Sequence, residues 1–295
     1  MSIAVIGAGK WGSALAFAYS QKSEVYITSR QNRNLTNFIS LEESLKCEYL
    51  IITVPAQHIA LWLKENFKFS GQKVLVASKG IDASSGKFLN EIYADYIPSE
   101  NIAFLSGPSF AFEVQKSLPT ALVVNSTNEV LSKEFVSLLP DFIKGYSSTD
   151  IIGAEISGAY KNVIAISAGV CEGLGLGKNA SAALISRGLV EMHRFGLKYG
   201  AKDESFIGLS GAGDLFLTAS STMSRNFRVG LGLAQGKTQS KILQELGEVA
   251  EGIGTSYALY ELAQKKDLYL PIAREVYLML EGKNPNESLK DLLSN

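Results

Sequence analysis

The first half of the chain alternates short apolar runs with amphipathic ones. IAVIG, EVYIT, YLIITVP, KVLVAS, NIAFLS and TALVVN are rich in β-branched residues, and several are apolar throughout. A strand covered on both faces reads this way, because neither side of its pleat meets water. Between them lie KWGSALAFAYS, QHIALWLKENF, KFLNEIYADY and NEVLSKEFVSLL, which read as helices. The alternation predicts right-handed βαβ crossovers and a doubly wound parallel sheet. After about residue 150 the strand-like runs stop. NASAALISRGLVEMHRFGLKYG, KTQSKILQELGEVAEGI and TSYALYELAQKK predict helices broken by glycine-bearing loops. A boundary between Ser147 and Ile152 gives an α/β domain over residues 1–150 and an all-α domain over 151–295.

One side chain departs from this pattern. In ISGAYKNVIAISAGV, residues Ile156, Ala159, Tyr160, Val163, Ile164 and Ser167 share one helical face. Lys161 falls outside that stripe, among Ala154, Ser157, Gly158, Ala165 and Ala168, small residues that let another group approach closely. Three and four positions away stand Ser157, Gly158, Ile164 and Ala165, so no carboxylate on the same helix pairs with it. Its stem either snorkels to water or holds an ammonium at a cleft. In the second reading the lysine has no salt-bridge partner because it is reserved for proton transfer.

The first strand leads into Gly7-x-Gly9-x-x-Gly12 and then a helix. Gly7 allows the tight turn, Gly9 lets backbone approach a pyrophosphate, and Gly12 lets helix and strand pack closely. Backbone N–H groups at the helix start then face phosphate. A lone glycine pattern says little, but this one sits in the strand–turn–helix context of a Rossmann domain. The second strand, EVYITSR, ends without the acidic residue that grips a ribose 2′-hydroxyl. Ser29 and Arg30 stand there with Arg33 close behind, which suits a 2′-phosphate or two solvated loop arginines. NADP is favoured over NAD.

Bulk composition narrows the partners. The 295 residues suffice for two domains, and 46% hydrophobic with 19% charged residues describes a globular protein. A formal net charge of −1 gives no long-range attraction to nucleic acid or an acidic membrane. No apolar stretch approaches the ~18 residues of a membrane span. Met1 leads straight into SIAVIG without a signal-peptide pattern, and Cys47 and Cys171 stand far apart. The expectation is a cytoplasmic, reduced protein. His58 and His193 have no ligand-type neighbours at metal spacing, so no metal site is expected.

Four further stretches carry polar groups. SKG places Lys79 just past a strand end, where ligands of open α/β sheets bind. GPSFA, with Gly107, Ser109 and Ala111, follows another strand end. GLSGAGDLFLT puts Asp214 and Thr218 one helical turn apart. SRN offers Ser224, Arg225 and Asn226, with an arginine able to fork onto phosphate. Singly these read as a loop charge, a turn, a cap and a solvated cation. Together with Lys161 they supply what reduction of a small phosphorylated ketone needs.

In this order, GAGKWGSA, VPAQ, SKG, GPSFA, EISGAYKNVIAISAG, GLGLGKNASAALISRGLVEM, GAGDLFLT, SRN and VAEGIGT resemble the bacterial NAD(P)-dependent glycerol-3-phosphate dehydrogenases nearly end to end. The resemblance implies interconversion of dihydroxyacetone phosphate and sn-glycerol 3-phosphate, for phospholipid synthesis, by an enzyme expected to be a homodimer joined through its helical domain. It makes Lys161 the proton-transferring residue. Lys79, Gly107, Ser109, Asp214, Thr218, Ser224, Arg225 and Asn226 match the substrate pocket. Lys10, Trp11, Arg30, Arg33, Lys79, Ala111, Arg225, Val249 and Glu251 match cofactor positions beside Gly7, Gly9 and Gly12. Two departures stand out: the Arg30–Tyr49 stretch is shorter than the family usual, and Phe110 occupies a variable position.

The implied chemistry assigns Lys161 to stabilise and protonate the carbonyl oxygen, with Lys79 adding positive charge and Asp214 orienting Lys161. Arg225 and Asn226 clamp the substrate phosphate. Histidine-dependent hydroxyacid dehydrogenases need an imidazole base, and both histidines here read as structural. A P-loop reading of GLGLGKNA fails on spacing and on Asn179 where Ser or Thr is required. The rivals are reductases of the β-hydroxyacid or ketopantoate type, and a non-catalytic NADPH-sensing protein that needs none of these lysines.

Overall fold

The apolar runs become strands because both sides of each are covered. In the computed structural model, which describes residues 2–32 and 34–294, they are β1 (Ser2–Ile6), β2 (Glu24–Thr28), β3 (Tyr49–Ile52), β4 (Lys73–Val76), β5 (Ile102–Ser106), β6 (Thr120–Asn125) and β7 (Ile143–Ser148). One sheet runs in the order β2-β1-β3-β4-β5-β6-β7. Along β1 the side chains alternate. Ile3 and Val5 pack with Leu15 and Tyr19 of the Lys10–Ser20 helix, while Ala4 and Ile6 pack with Ile59 and Leu63 of the Ala56–Asn66 helix. The period of two therefore builds a core on each face. β1 lies between β2 and β3, so consecutive crossovers leave it in opposite directions, and a crevice opens at the carboxyl ends of β1 and β3.

The sheet departs from the expected all-parallel form at β6, which pairs antiparallel with β5, Leu105 opposite Val124. The only helix between them, Ala111–Gln115, has five residues and spans about 7 Å, against about 16 Å for a five-residue strand. It cannot return the chain to the other end of the sheet, so β6 starts where β5 stops. The nine-residue Glu129–Ser137 helix is long enough, and β7 runs parallel to β6. β7 itself was invisible as an apolar run: IKGYSS is an edge strand in which only Ile143 is buried.

The short Arg30–Tyr49 segment folds back on β2. Phe38 forms a single parallel bridge with Ile27, and a Ser40/Glu43 capping box starts a four-residue helix, Leu41–Ser44. Beyond Ser148 the described residues are helices and loops. The expected KTQSKILQELGEVAEGI helix is two. Gly247 takes φ 63° and ends Gln239–Leu246, and Glu251–Lys266 then runs through Gly252 and Gly254 into TSYALYELAQKK. Ile81 and Phe88 from the sheet-bearing half bury into the helical core. No helix among the described residues is long and apolar enough to cross a membrane.

The helix carrying Lys161, Ile151–Gly173, is not amphipathic: residues Gly153 through Cys171 are all buried. Helices Gly177–Lys198, Asp214–Ala219, Arg225–Ala234 and Glu251–Lys266 surround it, and its remaining side packs on β5. The face that reads as a small-residue opening is therefore a packing face.

Candidate active site

The glycine loop begins where β1 ends. Gly7 has φ +112°, and a Cβ there would lie 2.3 Å from Thr53 Oγ1. Thr53, just past β3, donates to the carbonyls of Ile6 (3.0 Å) and Gly7 (3.1 Å), tying the two strand ends together. A Cβ on Gly12 would lie 1.8 Å from the Gly7 carbonyl oxygen, so only glycine allows this approach of helix to strand. Gly9 is exposed and a Cβ there would meet nothing within 4 Å, leaving clear space above the helix start. Lys10 is exposed, and Trp11 is half-buried, its indole Nε1 donating to Ala77 O just past β4 at 3.1 Å. Arg30 is exposed just past β2; Arg33 lies outside the described residues.

Lys79 follows β4 and enters the helical half. A Cβ on Gly158 would meet the Lys79 stem at 3.2 Å, so the group that the small residues admit is Lys79 itself. Its Nζ bonds Asp214 Oδ2 at 2.6 Å. Lys161 Nζ donates to Asp214 Oδ1 and, at 3.0 Å, to Thr218 Oγ1. The expectation of a lysine without a salt-bridge partner is thus overturned. Its partner comes from a residue 53 positions away, and no rule of helical spacing reaches that far. Asp214 stands at the start of the Asp214–Ala219 helix, directly after a π-helical turn, Leu209–Gly213. Ser210 in that turn bonds Ser106 at the end of β5, 2.7 Å between hydroxyls, which fixes the turn against the sheet.

Two lysines around one buried carboxylate leave a net positive centre. Burial pushes the Lys161 ammonium down to about 8; Asp214 pulls it back up and Lys79 repels it further. Burial alone would raise the Asp214 carboxyl, but the two lysines outweigh it and hold it ionised below its usual range. Glu251 completes the ring: burial raises its carboxyl, against the pull of Arg225, Lys79 and Lys161.

The helix Arg225–Ala234 brings the third group. Ser224, buried, caps it by accepting from Phe227 N at 3.2 Å. Asn226 is fixed at both ends: its Nδ2 donates to Asn162 Oδ1 (2.9 Å) and its Oδ1 accepts from Gly252 N (3.0 Å). This helix touches the Lys161 helix through glycines. A Cβ on Gly169 would lie 2.0 Å from Phe227 O, and one on Gly230 would lie 2.0 Å from Ile166 O. Elsewhere, Gly107 has φ +106° and a Cβ would meet Ala121 O at 2.9 Å; Ser109 Oγ donates back to Gly107 O at 3.2 Å; Ala111 opens the short helix before β6. Val249 is exposed. His58 is exposed, and His193 pairs with Asp203 at 2.6 Å.

Lys79, Lys161, Asp214 and Thr218 are thus joined directly, while Asn226 bonds Asn162, the next residue on the Lys161 helix. Two contributors escaped the reading of the chain. Asn162 follows Lys161 inside the same motif and could have been found there. Glu248, whose carboxylate lies between Lys10 (2.6 Å) and Arg225 (3.8 Å), follows a helix-ending glycine and carries no local signal.

Residues 150–290 match the family description NAD-dependent glycerol-3-phosphate dehydrogenase C-terminus, and residues 28–132 match its N-terminus. A Sulfurimonas denitrificans protein named glycerol-3-phosphate dehydrogenase, NAD(P)+, is 72% identical over 293 residues, 99% of each chain. One of the same name from Campylobacter lari is 58% identical over 295 residues, covering 100% of this chain and 98% of that protein. The crystal structure of glycerol-3-phosphate dehydrogenase from Coxiella burnetii superposes with a TM-score of 0.91 at 32% identity, covering 100% of this chain and 99% of that one. The chain belongs to the NAD-dependent glycerol-3-phosphate dehydrogenase family.

Proposed function

We propose that this protein interconverts dihydroxyacetone phosphate and sn-glycerol 3-phosphate with a nicotinamide dinucleotide, in two domains, 1–150 for the cofactor and 151–295 for the substrate. The observation that carries the reading is the buried Lys161 ammonium, held by Asp214 and Thr218 and faced by Lys79. The glycine loop fits a dinucleotide: Gly9 leaves open space where a diphosphate approaches the helix start, and Gly7 and Gly12 permit the turn beneath it. Arg30 at the end of β2, where an acidic residue would select a ribose hydroxyl, favours NADP.

The bound nicotinamide supplies or accepts the hydride. Lys161 Nζ donates its proton to the oxygen on substrate C2 during reduction and takes it back during oxidation. Its lowered proton affinity makes transfer possible near neutral pH. Lys79 adds positive charge where the oxyanion develops, and Asp214 aims both ammonium groups without leaving them unpaired in the interior. Arg225 and Asn226 take the substrate phosphate, with Ser224 setting the helix start that presents them. Gly107 and Ser109 border the pocket at the end of β5, while Lys10, Trp11, Ala111, Val249 and Glu251 border the cofactor. A β-hydroxyacid or ketopantoate reductase needs no such phosphate clamp, and a cofactor sensor needs no paired lysines.

Exposed Val190, Leu197 and Ile207 on the helical half support a homodimer through that half; light scattering measures it. The reaction is tested by following nicotinamide absorbance with dihydroxyacetone phosphate and NADPH or NADH. Oxidation dependent on that substrate is expected, and no oxidation with either cofactor removes the assignment.

A further inference from the structure

The segment GEVAEG joins the two halves at two points. The αL turn at Gly247 aims Glu248 at the glycine loop, where one carboxylate oxygen bonds Lys10 Nζ at 2.6 Å and the other lies 3.8 Å from Arg225 Nη1. Three positions later Glu251 accepts from the backbone of Lys79. Arg225 is therefore flanked by two acids, of which Glu248 has its carboxyl lowered and Glu251 has it raised. The hydrogen bond from Lys10 lowers the Glu248 carboxyl most, with further pull from Lys10, Arg225 and Arg228. Arg228, one turn beyond Arg225, has a buried Nε without a hydrogen-bond partner among the described residues. Two cations thus meet a single carboxylate, with Arg228 adding weaker pull, beside the open space above Gly9.

We propose that Glu248 is an internal counter-anion that holds Lys10 until ligand phosphate replaces it, and so sets the affinity for the dinucleotide. This rests on the cofactor reading above. One cation is anchored in the glycine loop and the other in the helix that presents the phosphate clamp, so the same carboxylate restrains both halves in the ligand-free protein. A phosphoanion at the glycine loop attracts Lys10 and repels Glu248. Binding therefore exchanges the Lys10–Glu248 pair for a Lys10–phosphate contact and frees Glu248 to the Arg225 side. The exchange costs affinity and keeps the cations from lying unpaired at the crevice mouth.

The test measures NADPH affinity by quenching of Trp11, which neighbours Lys10, in a Trp62→Phe background, since the chain has two tryptophans. Glu248→Gln is expected to tighten NADPH binding about three- to fivefold at low ionic strength, less at high salt. KM for NADPH should fall by more than kcat changes. In a Lys10→Met background the same substitution is expected to change little, because the displaced pair is already gone. Unchanged or weaker binding by Glu248→Gln overturns the proposal, and so does a gain that persists fully with Lys10→Met, which marks a mere change of net charge. Circular dichroism of each variant identifies a misfolded one, and Glu248→Ala then replaces it. A parent protein that neither binds NADPH nor oxidises it refutes the functional reading instead.

Discussion

At Lys161 two demands meet: an ammonium must be buried to face a reacting carbonyl, and it must not be left alone there. Asp214 and Thr218 meet the second demand, and burial, helped by repulsion from Lys79, keeps the proton transferable. Replacing Lys161 by Met is expected to lower turnover at least about a hundredfold while leaving NADPH binding, read by fluorescence, largely intact. Near-normal turnover would remove Lys161 from the reaction. The pH dependence has a definite sign. Reduction needs the protonated amine and should fall as pH rises through about 8; oxidation needs the neutral amine and should rise through the same range. Asp214→Asn removes the larger of the two negative charges that raise Lys161, leaving Glu251, so both limbs should move to lower pH, besides a loss of turnover. Initial rates in both directions across pH check each limb.

Elements are positioned here by what glycines allow. Gly158 and Gly230 both sit in helices but tolerate a methyl group differently. At Gly158 the neighbour is the flexible Lys79 stem at 3.2 Å, so Gly158→Ala should keep the melting temperature and lower kcat/KM by displacing that ammonium. At Gly230 the neighbour is the Ile166 backbone at 2.0 Å, which cannot yield without separating two helices. Gly230→Ala should destabilise by about 1–3 kcal/mol or more, and the loss of Arg225 alignment follows. Thermal melts paired with kinetics separate the two. The periodicity of the chain located most of these helices. It could not locate β7, whose edge position removes the apolar signal, nor the reversal of β6, which depends on the reach of a five-residue helix.

The whole molecule is held together across its two halves by more than the site. Glu155, on the Lys161 helix, accepts from Asn90 N at 2.7 Å and so caps the first turn of Leu89–Tyr93 in the sheet-bearing half. Burial pushes its carboxyl up to about 8. The folded chain thus binds this proton more tightly than the unfolded one. The stability it contributes is full below the ordinary carboxylate range and is lost as pH rises through about 8. Glu155→Gln should flatten this fall, so that the variant gains at least about 4 °C on the parent between acid and mildly alkaline pH. Parallel melting curves would refute the assignment.

Local pattern was enough for the alternation of strands and helices, the turn beneath Gly7, Gly9 and Gly12, and the order of polar motifs past strand ends. Each of these depends on residues within one helical turn or one βα unit. It also singled out Lys161 as a lysine without a partner on its own helix, which holds. The tertiary structure alone decided what that lysine meets. Asp214 reaches it through a π-turn pinned to β5 and Lys79 through the space that Gly158 leaves, just as Glu248 reaches Lys10 across 238 positions of chain. Such contacts arise where separate elements pack, and side-chain spacing along the chain carries no record of them.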